Sequence, residues 1–217
     1  DTEQIGAIQT LDISILSAAQ VGAFTTDQLG GVTTTQISVL GTDQLDDLAA
    51  ADIASLTTDQ VGALTTAQTN ALEMAKLANL TSDQFGALQN ANVIALGTAF
   101  TDEITTDQLQ GLTTSQISSL TSDQIATFEN DQLAALTTDQ INVMAVAIPT
   151  ASLGTDQIRA LQTSTLVLFT TDQIRALSNE QIGALTTDQF TVLTTEQFRA
   201  FTATHVQGME SDQVQTI

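Results

Sequence analysis

The sequence predicts an all-α fold, a solenoid of short N-capped helices with one helix in each eight-residue repeat. Three observations lead to this prediction. A large apolar residue recurs at every eighth position, a second apolar residue lies three positions before it, and the polar residues that follow carry a helix-start signal. The repeated phrase is visible in Leu56–Leu64 (LTTDQVGAL), Leu80–Leu88 (LTSDQFGAL) and Phe169–Leu177 (FTTDQIRAL).

The closing apolar residues set the register of the array. Each step from Ile8 to Met144 is eight residues long, one step of nine leads to Leu153, and steps of eight then continue to Ile217. About 27 octads, with one inserted residue near Pro149, account for all 217 residues. We therefore predict a single octad-repeat solenoid domain over residues 1–217. Since residue 1 is not Met, we expect it to be a segment of a longer chain or assembly.

The polar half of the phrase predicts that a helix starts in every octad. In LTTDQI, the first Thr suits the N-cap and the Gln three residues later suits the third helical position, which together form a capping box. The Asp lies in the first turn, where the helix dipole favours a negative charge. A strand is disfavoured because the two apolar positions of an octad would point to opposite faces of a sheet.

One continuous helix is excluded by its geometry. Eight residues at about 100° each shift an apolar stripe by roughly 80° per octad, so the stripe would circle the helix and bury no constant face. A helix of about one and a half turns is also unstable alone in water. The chain must therefore restart its helix in each octad and stack the short helices against one another.

Three octads depart from the phrase. Glu73–Leu80 has no cap residue, so we expect the preceding helix to run through Leu72 without a break. In Gly97–Ile104, Phe100 occupies the place of the Gln and is the one Phe that we do not assign to the core. Ala145–Leu153 holds the inserted residue and the only proline, which predicts a kink or bulge.

Charge and composition limit the partners of the chain. The 25 acidic residues outnumber the 4 basic ones, and the net charge of −21 disfavours binding to nucleic acid or to anionic membranes. No apolar run approaches the roughly 18 residues of a membrane-spanning helix, so we expect no membrane insertion. The absence of cysteine excludes disulfides and thiolate metal sites.

The sequence marks no catalytic or cofactor-binding residue. His205 is the only histidine and occupies the Gln position of its octad, which favours a capping role. Without a second His or a Cys, a set of nucleophile, base and orienting group cannot be completed. We therefore predict that the chain is not an enzyme.

The acidic residues at the third position of the octads are the weak candidates for a metal site. In a regular solenoid these carboxylates would align, and a ladder of them could gather Ca²⁺. One Asp per octad is sparse for calcium, however, and a role at the helix start explains the same pattern. We predict no metal and no cofactor, and Ca²⁺ binding stays open as the alternative. The candidate residues are Asp27, Asp43, Asp59, Asp83, Asp107, Asp123, Asp139, Asp156, Asp172 and Asp188.

Tandem phrases of the form LTTDQIxAL and LTTxQVxAL resemble the octapeptide arrays of large bacterial proteins, many of them secreted or surface-associated. The resemblance covers the whole chain. It implies a structural or interaction segment of an extracellular or cell-surface protein, such as a surface fibre, an adhesin stalk or a self-assembling filament. The expected partners are copies of the chain or flanking repeats, and the sequence specifies no external protein or glycan. The alternative function is a repeat module that binds a ligand or cations through its acidic surface.

Overall fold

The computed structural model describes residues 2–72, 74–147 and 153–215, and these residues form short helices without a strand. This confirms the predicted fold class. The helices, in chain order, are α1 (Thr2–Gly6), α2 (Thr10–Ser14), α3 (Ala18–Val21), α4 (Thr26–Gly30), α5 (Thr34–Val39), α6 (Thr42–Asp46), α7 (Ala50–Ala54), α8 (Thr58–Gly62), α9 (Thr66–Ala71), α10 (Met74–Leu77), α11 (Ser82–Ala87), α12 (Asn90–Ala95), α13 (Gly97–Glu103), α14 (Thr106–Gly111), α15 (Thr114–Ser119), α16 (Ser122–Ala126), α17 (Asn130–Ala135), α18 (Thr138–Ala147), α19 (Thr155–Ala160), α20 (Thr163–Leu166), α21 (Thr171–Ala176), α22 (Asn179–Ala184), α23 (Thr187–Val192), α24 (Thr195–Arg199), α25 (Ala203–Gly208) and α26 (Ser211–Val214).

The capping box starts most of these helices, as predicted. In the octad of α8, the Thr57 hydroxyl accepts a hydrogen bond from the Gln60 backbone N–H at 3.2 Å. The Gln60 side-chain oxygen accepts one from the Thr57 backbone N–H at 2.8 Å. Thr57 itself has extended backbone, with φ −70° and ψ 160°, which separates α8 from the helix before it. Two backbone N–H groups that a helix start leaves without a partner are thereby satisfied.

Most helices pack against the third helix along the array, whereas α17 packs against α19 and α18 against α20 across the region of the inserted residue. In the first unit, α8 packs against α11 and α11 packs against α14; in the second, α19 packs against α22 and α22 against α25. Three octads, or 24 residues, therefore make one turn of the solenoid. The chain divides into two compact units, Asp1–Gln116 and Ile117–Ile217, and the same stacking holds in each. The prediction of a single domain over residues 1–217 stays a prediction.

The fifth and eighth positions of the octad form the core, and they face opposite directions along the stack. At the start of the first unit, Ile13 at a fifth position is fully buried, whereas Leu16 at an eighth position is only half-buried. At the end of the second unit, Val206 and Val214 at fifth positions are 58% and 54% exposed. The fifth-position side chain is therefore covered by the following turn, and the eighth-position side chain by the preceding turn.

Neighbouring turns approach closely at the sixth position of the octad. A Cβ atom on Gly86 would lie 2.5 Å from the Gly111 carbonyl oxygen, and one on Gly183 would lie 2.6 Å from the Gly208 carbonyl oxygen. These distances are shorter than a van der Waals contact. Glycine is required at these two sites because the backbone of the next turn occupies the space of a side chain.

The octad that lacks a cap residue still has a helix break, so our expectation of a helix through Leu72 is wrong. Helix α9 ends at Ala71, and Leu72 is extended, with φ −69° and ψ 128°. Leu72 is an eighth-position residue that is only 3% exposed. A continued helix would rotate it away from this core position, so burial of the side chain enforces the break that the cap would otherwise specify.

Phe100 is also a core residue, contrary to the expectation from its position. Its side chain is fully buried, and its ring centroid lies 5.8 Å from that of Phe85. The ring fills the space in which other octads place the Gln side chain. Helix α13 follows α12 directly, and Gly97 supplies the turn with a positive φ of 64°.

The region of the inserted residue departs from the regular pattern on its N-terminal side. Helix α18 has 10 residues and continues through Met144, where the octad register predicts a break. The kink expected at Pro149 lies outside the described residues.

Replacing Gly86 with Ala tests the close approach of the turns. We expect Gly86→Ala to lower the free energy of unfolding by about 1–3 kcal/mol, because the methyl group overlaps backbone that cannot move alone. The matched control is Gly30→Ala at the same octad position, where a Cβ atom meets nothing within 4 Å. The control should be neutral or stabilising by up to about 1 kcal/mol through helix propensity. Urea unfolding followed by circular dichroism measures both, and equal effects would contradict the packing argument.

Candidate functional site

The Gln side chain of the capping box also joins different turns of the solenoid. While the Gln60 oxygen accepts from Thr57, its Nε2 donates to the backbone carbonyls of Leu29 and Val32, each at 2.7 Å. Gln60 is only 3% exposed. A single amide thus satisfies one N–H group at the start of its own helix and two C=O groups at the end of an earlier helix. Helix ends leave such groups unpaired, and their burial without a partner is costly.

This contact recurs in both units, and we call it the glutamine ladder. In each case Nε2 donates, at 2.5–2.9 Å, to the carbonyl that closes the octad four repeats earlier. The partner lies 28 residues back, or 29 for Gln157, whose span includes the inserted residue. The members are Gln36, Gln44, Gln60, Gln68, Gln84, Gln108, Gln116, Gln157, Gln181, Gln189, Gln197 and Gln213.

Sequence reasoning missed the ladder, although the sequence contains a signal for it. A capping box accepts either Glu or Gln at the third helical position, because only the side-chain oxygen is needed. In this chain Gln recurs at that position and Glu never occupies it. A Glu carboxylate can only accept hydrogen bonds, whereas the Gln amide also donates. Gln holds this position in most octads, and a carboxylate occurs there only at Asp12 and Asp52, so the preference for Gln indicates a second partner that is an acceptor.

Three other residues at the ladder position make the same backward contact. His205 Nε2 lies 2.9 Å from the Leu177 carbonyl oxygen. Its Nδ1 accepts from the Thr202 backbone N–H at 3.3 Å, which confirms the predicted capping role. Asn92 Nδ2 donates to the Leu64 carbonyl at 2.8 Å.

Lys76 is the third substitute, in the octad that lacks a cap residue. Its Nζ donates to the Asp46 carbonyl and forms an ion pair with the Asp46 carboxylate at 2.8 Å. An ammonium group therefore contributes the donor in place of the amide, and the ion pair adds a second anchor to the previous turn. Because the Lys76 side chain is only 14% exposed, the pair is less screened by solvent than an ordinary surface ion pair.

In two octads the residue at the ladder position has a side chain too short to reach two carbonyls of the earlier turn. In these octads a Gln at the N-cap donates a hydrogen bond to a carbonyl of that turn. In the octad of Asn92, the N-cap residue Gln89 donates to the Gly62 carbonyl at 3.2 Å. In the octad of Thr165, the N-cap residue Gln162 donates to the Ala134 carbonyl. The carbonyl groups of an earlier turn thus find an amide donor even where the repeat phrase is altered.

Each of the ten candidate Asp residues holds the third position of its octad, in the first turn of a helix, and all ten are exposed. Only residues three octads apart share a stack, so the structure groups Asp59, Asp83 and Asp107 along α8, α11 and α14. In the second unit, Asp156 borders an open groove together with Asp131. The sequence analysis omitted Asp131, although it precedes Gln132 in the same DQ pair.

The acidic rows do not converge on a point. Among the described residues, no three His, Asp or Glu side chains come together in a group that could hold a metal ion. Arg159 pairs with Asp156 at 3.1 Å and Arg175 pairs with Asp172 at 3.0 Å, and each guanidinium would compete with a bound cation. The prediction of no metal stays a prediction, the cation ladder remains its alternative, and these two carboxylates are the least suitable members of that ladder.

Glu180 is the carboxylate on which the helix start has a resolved electrostatic effect. Hydrogen bonds from its own backbone N–H and from the Ser178 hydroxyl lower the pKa of Glu180. A lowered pKa means that folding favours the charged form, so this contribution to stability is present near neutral pH and lost in acid. The effect supports the interpretation of the acidic position as a complement to the helix N-terminus.

The grooves on the surface are open and lined by polar groups. One groove lies in the second unit between neighbouring turns, bordered by Thr155, Arg159, Glu180, Gly208 and Glu210. Among the described helices, none has both the length and the apolar character that crossing a bilayer requires.

Comparison with known proteins identifies the repeat. The model of the ALTTAQ repeat matches residues 5–42, 37–74 and 150–187. Successive matches keep the octad register, since the second begins 32 residues, or four octads, after the first. Residues 63–68 read ALTTAQ. No curated protein matches the chain. The chain is therefore a tandem-repeat protein with a helical solenoid fold, and its repeat suggests a structural or interaction role.

Replacing a ladder Gln with Glu separates its two roles. We expect Gln60→Glu to lower the free energy of unfolding by about 3 kcal/mol, because two buried carbonyls lose their donor and face a carboxylate. The control is Gln28→Glu, since Gln28 makes the capping bond to Thr25 at 2.9 Å in an octad that has no fourth predecessor within the sequence. Glu also fits a capping box, so the control should change stability by less than about 0.5 kcal/mol. Equal losses in urea unfolding would mean that the ladder contact contributes nothing.

Calcium should not be needed for folding. The carboxylates occur once per octad at exposed helix starts, which does not provide the several oxygen ligands that Ca²⁺ prefers. Thermal unfolding curves recorded with calcium chloride and with excess chelator should nearly coincide when sodium chloride equalises the ionic strength. A stabilisation by calcium that sodium does not reproduce would instead identify the acidic rows as a metal site.

Proposed function

We propose that the chain is a structural and interaction segment of an extracellular bacterial protein, and that it acts as a surface fibre, an adhesin stalk or a self-assembling filament. The glutamine ladder is the observation that carries this proposal. In the octads of the glutamine ladder, buried backbone carbonyls are paired by a side chain from the octad four repeats later, so the fold is useful as a continuous array. The recurrent Thr, Gln and apolar residues are used by the fold itself and form no reaction centre.

The strongly negative surface of the chain fits a role outside the cell in which neighbouring arrays must not aggregate. The ten candidate Asp residues project into solvent from successive helix starts, and the net charge is −21. Like charges on neighbouring arrays repel each other, which disfavours lateral aggregation and binding to nucleic acid. The resemblance to octapeptide arrays of bacterial surface proteins supports the proposed location at the cell surface or in the medium.

The first and the last described turns expose opposite halves of the contact between turns, which fits stacking on a second copy or on flanking repeats. On the first turn, the Gln20 side chain is exposed while its oxygen holds the Ser17 N–H at 2.8 Å. The eighth-position Leu16 and Phe24 are only half-buried there. These are the donor amide and apolar side chains that an earlier turn covers in the interior.

The last turn presents the opposite half of the same contact. Val206 and Val214 lie at fifth positions, which the following turn buries elsewhere in the array. We propose that the last turn of one copy packs against the first turn of a second copy, repeating the contact that joins successive turns inside each unit. A head-to-tail contact of this kind does not close on itself and so propagates.

Self-association is tested by sedimentation of the purified chain at rising concentration. The average mass should increase with concentration, and Val214→Lys should lower it, because the charge enters an apolar contact. Ile94→Lys is the control, since Ile94 is 38% exposed in the middle of the first unit. Its mass should follow that of the unaltered chain. A strictly monomeric chain whose end octads are already protected from hydrogen exchange would contradict the proposal.

A further inference from the structure

His205 holds the ladder position of α25 with both ring nitrogens engaged. Its side chain is 3% exposed. Nδ1 lies 3.3 Å from the Thr202 backbone nitrogen, and Nε2 lies 2.9 Å from the Leu177 carbonyl oxygen. A backbone N–H can only donate and a carbonyl can only accept, so Nδ1 must be the acceptor and Nε2 must carry the proton. The folded octad therefore accepts only the neutral ring in a single tautomer.

We propose that His205 makes α25 a proton-sensitive element of the solenoid, which is released from α22 when the ring gains a second proton. A doubly protonated ring carries a hydrogen on Nδ1, which then points at the Thr202 N–H instead of accepting from it. The charge is also placed in a buried site beside Phe201, whose ring centroid lies 5.8 Å away. Burial of an unpaired charge is costly, so protonation favours the detached state of the octad.

The contrast with Gln is the reason for the inference. In other octads the same two contacts are made by an amide, which does not titrate in water. Histidine changes its charge between about pH 5 and 8, and the exchange of one residue therefore gives an otherwise uniform contact a dependence on protons.

The other charged groups near α25 are exposed. Glu180 is the ionisable residue of α22, against which α25 packs. Glu196 and Arg199 lie on the preceding α24 and pair with each other at 2.7 Å, and Glu210 and Asp212 belong to the octad of α26. Exposed carboxylates attract a buried cation only weakly because water screens them. They are also unchanged by a substitution at His205, which makes a matched comparison feasible.

Hydrogen exchange of the full chain tests the proposal against His205→Gln, which restores the ladder residue of the neighbouring octads. At pH 7.5 both proteins should protect the amides of α25 equally, including the Val206 N–H that donates to Thr202 at 3.2 Å. At pH 5.5, after correction for the intrinsic exchange rate, protection of α25 should fall at least tenfold in the unaltered chain relative to His205→Gln. Equal protection of the two proteins at both pH values would overturn the proposal.

A second measurement, nuclear magnetic resonance, follows the protonation of the His205 ring directly. The imidazole resonances of this single histidine report its protonation, and the transition should coincide with the loss of protection in α25. A ring that becomes protonated while α25 stays protected would overturn the proposal. Gln197→His, placed in the His205→Gln background, should move the sensitivity to α24, because Gln197 contacts the Leu166 and Phe169 carbonyls in the same way. Failure of this variant to become acid-sensitive, although folded at pH 7.5, would also count against it.

Discussion

The structure depends on one primary amide that joins three backbone groups. A helix of five or six residues leaves more N–H and C=O groups unpaired than it pairs, because each helix end has four groups without an internal partner. An array of such helices could not bury its core unless these groups found partners. In the octad of Gln60, the amide connects the start of one helix to the end of a helix in the previous turn. Capping and stacking are therefore the same interaction.

This requirement explains which changes the repeat tolerates. Lys76 and His205 differ from Gln in charge and shape, yet each reaches back to a carbonyl of an earlier turn. Where Asn92 is too short for two carbonyls, Gln89 contacts the second one. In these octads a donor is kept at a given place although the residue type changes, whereas Asp52 puts a carboxylate there. Phe100 represents a different solution, in which the polar bridge is replaced by aromatic packing against Phe85.

The octad has positions that build the fold and positions that stay exposed, and this difference is relevant to function. The apolar, Thr and Gln positions are committed to the fold, and the acidic positions remain in solvent at helix starts, as in Asp59 and Asp83. An array of this kind offers a repeated, negatively charged exterior and two unlike end faces. These properties suit a protein whose role is to extend, to keep surfaces apart or to join copies of itself, which is the function that we propose.

The sequence by itself determined the octad register, the helix restart and the two core positions, because capping and amphipathic spacing are local and can be recognised within eight residues. Only the tertiary structure decided that three octads form a turn. That number depends on how closely backbones approach at residues such as Gly86 and Gly111, which lie 25 positions apart. Contacts between turns also determine the two carbonyl partners of Gln60, which lie 28 and 31 residues earlier in the chain. They determine the helix break at Leu72 as well. Contacts between turns select them, and no local pattern specifies where the next turn will lie.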